Sequence, residues 1–417
     1  MTQDPEKRRP NGASDINDPE RKAMITRERE DEILALCQEL IRIPSYSGDE
    51  KGVGQAIASF MERMGFDDIW TDTYGNVVGG VKGSRPGKTI LFDGHIDTVP
   101  VKSEDWTRDP FGGERADGKI YGRGTSDMKG AVAAMLAACA YFAADRKRDF
   151  AGAAYVSCIV HEECFEGVAA REVSRRLKPD YVVIGEASEL NLKKGQRGRA
   201  EIVLETFGKP AHSANPDAGI NAVYRMSRLI DAVRTLPETT HPVLGKGILE
   251  LTDIKSAPYP GASVVPDYCR ATYDRRLLVG ETRESVLKPL QDLIARLEAA
   301  DPTFKARVSF AKGEETCYTG AAILGERFFP GWVYDEDHPW VATALAGLRR
   351  AGLNPTVTQY SFCTNGSHYA GEAGIPTIGF GPSRENLAHT IDEYVEETQL
   401  IGAASGYYGI LTEALCK

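Results

Sequence analysis

The sequence predicts an α/β fold in which a mixed sheet covered by helices is interrupted by a smaller ferredoxin-like α+β unit. Three observations carry this expectation. The runs Ala154-Tyr-Val-Ser-Cys-Ile-Val160 and Tyr181-Val-Val-Ile184 are apolar throughout and of strand length, as strands buried on both faces are. Segments of helical period alternate with these runs, which places helices over a sheet. From about Gly195 the texture changes. Ala200-Glu-Ile-Val-Leu-Glu-Thr206 alternates apolar and polar like a half-exposed strand, and the elements that follow run β-α-β-β-α-β, the order of a ferredoxin-like unit of about 110 residues.

Along the chain, residues 1–28 are polar and without period, and read as a flexible arm. Ile33, Leu34, Leu36, Cys37, Leu40 and Ile41 recur at helical spacing, with Pro44 beyond them, and a second helical pattern covers 53–64. Strands are expected at 76–81 and 89–92, then a helix from Ala131, then the two apolar strands. In the second texture come a strand at 200–206, a helix at 221–236, strands at 247–254 and 263–278, a helix at 282–299 and a strand at 306–310. The first texture returns with a helix at 341–350, a strand at 377–380 and a last helix from about Glu396. The expected division is therefore 29–195 with 313–417 as one domain and 196–312 inserted into it.

Composition bounds the function. Hydrophobic residues are 42% and charged residues 26% of the 417, which excludes global disorder. Lys and Arg number 50 against 60 Asp and Glu, a net charge of −10, which argues against nucleic acid and anionic lipid as partners. The longest apolar stretch, 131–144, is about a third short of the roughly 20 residues a membrane span needs and reads as a buried core helix. The N-terminus has charge but no apolar secretory segment, and the 8 cysteines form no Cys-x-x-Cys pair. Reduced core thiols in a cytoplasmic protein are the expectation.

Histidine is scarce, with 7 in the chain, and its placement is informative. Asp93-Gly-His95-Ile-Asp97 follows an expected strand, where functional groups collect at the edge of a covered sheet. There the imidazole suits a metal and the neighbouring carboxylate suits its orientation, although a plain turn would read the same way. Gly122-Arg-Gly-Thr-Ser-Asp127-Met-Lys-Gly130 precedes the Ala131 helix. An Asp there repels phosphate, so Asp127 is either a helix N-cap or a carboxylate offered to a cation. His161-Glu162-Glu163 follows the strand at 154–160, and adjacent carboxylates point apart, so one can bind a metal while the other serves as base, unless both are simply solvated. Gly185-Glu186 ends the next strand, and Ala388-His389-Thr-Ile-Asp392-Glu393 lies in a late loop. Together these supply two histidines and three carboxylates. Two dications sharing a bridging carboxylate, three carboxylates and one hydroxide sum to neutrality, which suits a water nucleophile at neutral pH. Glu162 is then the expected base, passing the water proton to a leaving nitrogen. The chain has no Gly-x-Ser-x-Gly elbow, phosphate loop or EF-hand loop.

In these motifs and their order the sequence resembles the M20 family of metal-dependent peptidases and amidohydrolases, over nearly the whole chain after residue 30. The resemblance implies a mixed-sheet metallopeptidase catalytic domain with an inserted lid and dimerisation domain. It implies one or two divalent cations (zinc, with manganese or cobalt as alternatives), His95 and Glu186 on one, Glu163 and His389 on the other, and Asp127 bridging. Asp97 is implied to orient His95, Glu162 to be the general base, and a cis peptide to follow Asp127. Lys209-Pro-Ala-His212 is similar to the family's lid segment, whose histidine reaches the partner subunit's active site as an oxyanion donor, so a homodimer through the lid is implied. In Asp274-Arg-Arg276, Arg276 falls where the family grips a substrate carboxylate, although Arg275 or Arg276 could equally be a strand-edge charge.

Lys194-Gly-Gln-Arg-Gly-Arg199, Asp274-Arg-Arg-Leu-Leu-Val-Gly-Glu-Thr282, Phe362-Cys-Thr-Asn-Gly366 and Gly379-Phe-Gly-Pro382 resemble the branch linked to selenium metabolism. The loop Phe362-Cys-Thr-Asn-Gly-Ser-His368 departs from the glycine-rich carboxylate loop of the desuccinylases, with Asn365 and His368 as candidate substrate contacts. The expected activity is cleavage of a C–N bond by metal-activated water in a small carboxylate-bearing substrate, an N-acyl amino acid or dipeptide. The alternative is an arylamine aminohydrolase of the 5-nitroanthranilate type, for which Phe362, Trp332, Tyr334 and Trp340 would receive an aromatic ring.

Overall fold

The computed structural model describes residues 25–416. The expected arm at 1–28 falls mostly outside them. Within them Ile25 is buried, and Thr26 accepts from Arg29 N at 3.5 Å to cap a helix that already begins at Arg27, so residues 25–28 belong to the packed fold.

The larger sheet has nine strands in the order Asp68–Thr71, Val77–Lys82, Ala151–Ile159, Arg85–His95, Tyr181–Ile184, Thr377–Gly379, Leu192–Gln196 and Trp332–Val333, with Val357–Tyr360 also on Leu192–Gln196. It is mixed. Arg85–His95 runs parallel to both of its neighbours, Thr377–Gly379 runs parallel to Tyr181–Ile184, and the pairs at the first edge are antiparallel. The central strands are buried on both sides, as their continuous apolar runs require. The helix Lys129–Asp145 is buried from residue 129 to 143 and packs against Arg27–Ile41 and Glu397–Leu415. Leu192–Gln196 has no apolar run, yet it is mostly buried because strands pair on both its edges.

The second sheet is antiparallel in the order Ile248–Ala257, Tyr268–Leu277, Gly198–Phe207, Lys305–Phe310. In chain order this is second, third, first, fourth, the ferredoxin-like arrangement. Helices Ala222–Val233 and Arg283–Ala300 pack on it around a separate apolar cluster that includes Leu204, Met226, Leu229, Leu290 and Phe304. Asn221 caps the first helix, and Thr282 with Ser285 forms a capping box on the second. The sheet also recruits Phe328–Phe329, which pairs with Arg199 and Ala200.

This topology positions the site. Arg85–His95, Ala151–Ile159, Tyr181–Ile184 and Thr377–Gly379 run parallel, so their C-terminal ends open on one edge of the sheet. His95 ends the first, Glu162 and Glu163 follow the second, and Glu186 follows the third. No helix among the described residues is long and apolar enough to cross a membrane.

Two glycines test the backbone. Gly152 has φ +87°, and a Cβ there would lie 2.0 Å from the Lys88 carbonyl oxygen, whereas Gly65 at φ +71° has open space around it. Gly152→Ala is expected to cost about 2–4 kcal/mol and Gly65→Ala about 1 kcal/mol, read as loss of Tm in thermal unfolding. Equal shifts would contradict the close approach of the two backbones.

Candidate metal centre and active site

The structure brings His95, Asp127, Glu162, Glu163, Glu186 and His389 together. Asp127 is central. Its Oδ1 lies 2.9 Å from His95 Nε2 and its Oδ2 lies 3.1 Å from His389 Nε2. His389 Nε2 is also 3.1 Å from Glu163 Oε2, and His95 Nε2 is 3.6 Å from Glu186 Oε1. Each oxygen of Asp127 thus serves one histidine, and each histidine has a second carboxylate of its own. Asp127 is not the cap of the following helix: Met128 holds that position without a side-chain bond. The Asp127–Met128 peptide is cis.

Three buried supports aim these groups. The Glu393 carboxylate accepts from the backbone N–H of Gly124 at 3.1 Å, Ser126 at 2.8 Å and Asp127 at 3.1 Å, and from Arg123 Nη1 at 2.5 Å, which locks the turn that presents Asp127. The Asp97 carboxylate accepts from Glu162 N at 3.0 Å, Glu163 N at 3.2 Å and Ser47 Oγ at 2.7 Å. His95 Nδ1 instead donates to the Asp97 carbonyl at 2.9 Å, with the nearest Asp97 carboxylate oxygen at 3.5 Å. Asp97 therefore orients the imidazole mainly through its backbone and spends its carboxylate on the glutamate pair. With Nδ1 committed to that carbonyl, Nε2 is the ring atom that faces the cluster. Below the His95 strand, Asp93 accepts from Asn365 Nδ2 at 2.9 Å, Ser157 Oγ at 2.8 Å and Tyr369 OH at 2.7 Å.

The electrostatics fit cations. Burial pushes the Glu162 carboxyl well above the usual carboxylate range, and burial holds Glu186 up at about 8. Burial also raises Asp127, but bonds from His389 and His95 outweigh it and keep that carboxyl below its usual value. Bonds to Asp127 and Glu163 push His389 up to about 10. Glu162 Oε1 is buried without a hydrogen-bond partner. Ligand atoms of His95, Glu162 and Glu186, and of His95, Asp127 and Glu163, fall within 4.8 Å of one another. Carboxylates this crowded and this buried repel one another unless positive charge is shared among them. The residues present therefore suit divalent cations.

Asp127, Glu162, Glu163, Glu186 and His389 line a cavity of about 500 Å³ with Glu166, Arg199, Arg276, Phe362, Cys363 and Glu385. Of the candidate substrate contacts, Arg276 lines it. Other expected contacts do not. Asn365 is spent on Asp93 and on Gly167 N at 2.8 Å, and both ring nitrogens of His368 are engaged, by Ser174 Oγ at 2.7 Å and Glu372 at 2.9 Å. Neither side chain lines the cavity, so the assignment of Asn365 and His368 as substrate contacts is corrected to support of the scaffold behind it. Trp340 donates to Val182 O at 3.0 Å and stacks on Tyr181, and Trp332 and Tyr334 are likewise absent from the cavity wall. His212 lies exposed on the second sheet unit, outside the cavity of its own chain, and its Nδ1 accepts from Ala214 N at 3.1 Å.

Residues 91–413 match the family described as Peptidase family M20/M25/M40. The chain belongs to the M20 peptidase family. It is 34% identical over 387 residues to the uncharacterized protein YgeY of Escherichia coli K12, covering 91% of this chain and 93% of that one. It is 32% identical over 404 residues to a succinyl-diaminopimelate desuccinylase of Cereibacter sphaeroides KD131, covering 91% and 98%. The aminopeptidase PepT of Bacillus cereus shares the fold, with a TM-score of 0.73 at 18% identity over 94% of this chain and 99% of that one. As an M20 member the chain is a hydrolase of carbon–nitrogen bonds.

Sequence reasoning missed Glu393, Asp93, Glu50 and Glu166. Glu393 stood inside the quoted His389 motif, and its adjacency to an apolar position (Tyr394-Val395) was the signal of burial. Glu50 had no signal. It is buried, and its Oε1 accepts from Gly48 N at 3.0 Å and His161 N at 3.2 Å, which pins the start of the glutamate turn.

Burial, with the charge of Asp97, pushes Glu50 up from 4.5 to about 7. A carboxyl whose folded pKa is raised supports folding fully below its unfolded value and loses that support as pH rises through the folded one. Glu50→Gln removes the ionisation, so its stability relative to wild type, read from unfolding, is expected to rise between about pH 5 and pH 8 by an amount on the order of 2 kcal/mol. A stability difference that stays flat over that window would rule out the shift.

Proposed function

We propose that the protein is a metal-dependent hydrolase that cleaves the amide of an N-acyl amino acid or dipeptide carrying a free carboxylate. The observation that carries this reading is Asp127 divided between His95 and His389, with the unpartnered, buried Glu162 oxygen beside them and the Arg276 guanidinium across the same cavity. His95 and Glu186 would hold one divalent cation, Glu163 and His389 the other, and Asp127 would bridge; zinc, manganese and cobalt all suit this donor set. Such cations supply Lewis acidity that makes water a nucleophile at neutral pH and polarises the scissile carbonyl.

The chain's own residues do the rest. Glu162, its backbone held by Asp97, takes the water proton and returns it to the leaving nitrogen. Arg276 receives the substrate carboxylate as a planar fork. Val99, Ala187 and Phe362 offer apolar wall to the acyl group. His212 completes the site from a second copy through the lid. Because its Nδ1 accepts from Ala214, neutral His212 carries its proton on Nε2, the atom that would donate to the carbonyl oxygen in the transition state. The eight cysteines are all free thiols, which favours a reducing, cytoplasmic setting.

The test is a screen of N-acyl amino acids, dipeptides and aminobenzoates after reconstitution with zinc, manganese or cobalt. Amine release from the first two classes, abolished by chelation, is expected. Ammonia release from an aminobenzoate alone would replace this reading with arylamine hydrolysis, for which Phe362 is the one aromatic residue of the cavity wall among the described residues. Glu162→Gln is expected to lower kcat by about 10²–10⁴-fold while metal content stays unchanged. Undiminished turnover would remove Glu162 as the base.

A further inference from the structure

A chain of four charged side chains ties the cavity to the second sheet. Glu166 lies on the same turn as Glu162 and Glu163. Its Oε1 accepts from Arg199 Nη1 at 2.8 Å, and its Oε2 is buried without a partner. Arg199, near the start of Gly198–Phe207, donates through Nε to Asp274 Oδ2 at 2.9 Å. Asp274 Oδ1 lies 2.8 Å from Arg276 Nε. Glu166, Arg199 and Arg276 all line the cavity.

The strand register explains the arrangement. Arg199 and Arg276 are direct partners across the antiparallel pair, and Asp274 lies two residues before Arg276 on the same face. Like charges placed opposite each other destabilise a strand pair. Asp274 offsets this by giving one oxygen to each guanidinium. The consequence for Arg276 is directional. The ion pair with Asp274 draws in its Nε edge, and among the described residues the structure gives its two terminal amino groups no acceptor.

We propose that Arg199 is a positioning residue that sets the distance between the carboxylate fork of Arg276 and the catalytic turn, and thereby the enzyme's preference for substrates with a carboxylate at one fixed spacing from the scissile C–N bond. Asp274 passes the constraint to Arg276, and Glu166 anchors it to the turn of Glu162. A lysine in place of Arg199 keeps the charge but not the two-directional grip, because an ammonium is a point charge where a guanidinium is a fork. The proposal rests on the reading that Arg276 receives the substrate carboxylate, and the experiment separates the two.

The metal-reconstituted enzyme is assayed with its best N-acyl amino acid and with the C-terminal carboxamide of the same compound. The ratio of the two kcat/KM values is measured for wild type, Arg276→Lys, Arg199→Lys, Glu166→Gln and the double variant Arg199→Lys/Arg276→Lys. Arg276→Lys is expected to lower the acid-over-amide preference about tenfold or more. Arg199→Lys and Glu166→Gln are expected to lower it about three- to tenfold, chiefly through KM for the acid, with kcat for the amide held within about twofold. The double variant is expected to lose no more than Arg276→Lys alone, since both act on one fork. Thermal unfolding checks each variant, and the isosteric Glu166→Gln carries the test if Arg199→Lys does not fold. Wild-type preference in Arg199→Lys and Glu166→Gln, beside a lost preference in Arg276→Lys, overturns the positioning role and leaves the carboxylate reading standing. Wild-type preference in Arg276→Lys overturns both.

Discussion

The sharing of one carboxylate between two histidines is the constraint on which the structure around the site depends. Asp127 can face His95 with one oxygen and His389 with the other only if its own backbone is held still. Glu393 does this by collecting the N–H groups of Gly124, Ser126 and Asp127 from one turn, a use of a buried carboxylate that is stabilising because it satisfies backbone donors within the fold. Burying acidic groups so densely costs several kcal/mol per ion unless each is hydrogen-bonded or shares a positive charge. The arrangement therefore implies its own ligand: both oxygens of Glu393, Asp97 and Asp93 are bonded, whereas Glu162 Oε1, on the cavity wall, is buried without a partner.

The supports work in layers that run back into the sheet. His95 ends a central strand, and Asp93, two residues earlier, is held by Asn365, Ser157 and Tyr369. Asn365 also accepts from Gly167, at the far end of the glutamate turn, so one amide joins the strand that carries His95 to the loop that carries Glu162. Asp97 and Glu50 grip the same turn from its other side. His161 and His389, flanking the cluster, both adopt positive φ, a conformation that surrounding bonds must enforce in a non-glycine residue. Together these constraints hold loop residues with the precision that a site built on loops otherwise lacks.

Family membership bounds the chemistry but not the substrate, because one fold hosts many reactions and specificity resides in the residues around the shared centre. Here those residues come from both sheets. The larger sheet supplies the carboxylates and His389, and the smaller supplies Arg199 and Arg276. The Glu166–Arg199–Asp274–Arg276 chain links them through two charge-assisted hydrogen bonds, Glu166–Arg199 and Arg199–Asp274, and the Asp274–Arg276 ion pair.

Much was legible in the linear chain. Apolar strand-length runs marked the buried middle of the sheet, alternation marked the half-exposed second unit, and scarce histidines beside carboxylates at strand ends marked the cluster. These signals are local, because burial on one face or two leaves a period in the sequence. Leu192–Gln196 was not legible, since its burial comes from partners on both edges and not from its own side chains. Nor were the fates of Asn365 and His368, which carry the residue types of substrate contacts but are bonded elsewhere. The sequence alone determined which donor types the chain carries and the order in which strands deliver them. Only the tertiary structure decided which polar groups face the cavity and which are consumed in holding it, because a hydrogen bond between residues hundreds of positions apart leaves no periodic trace.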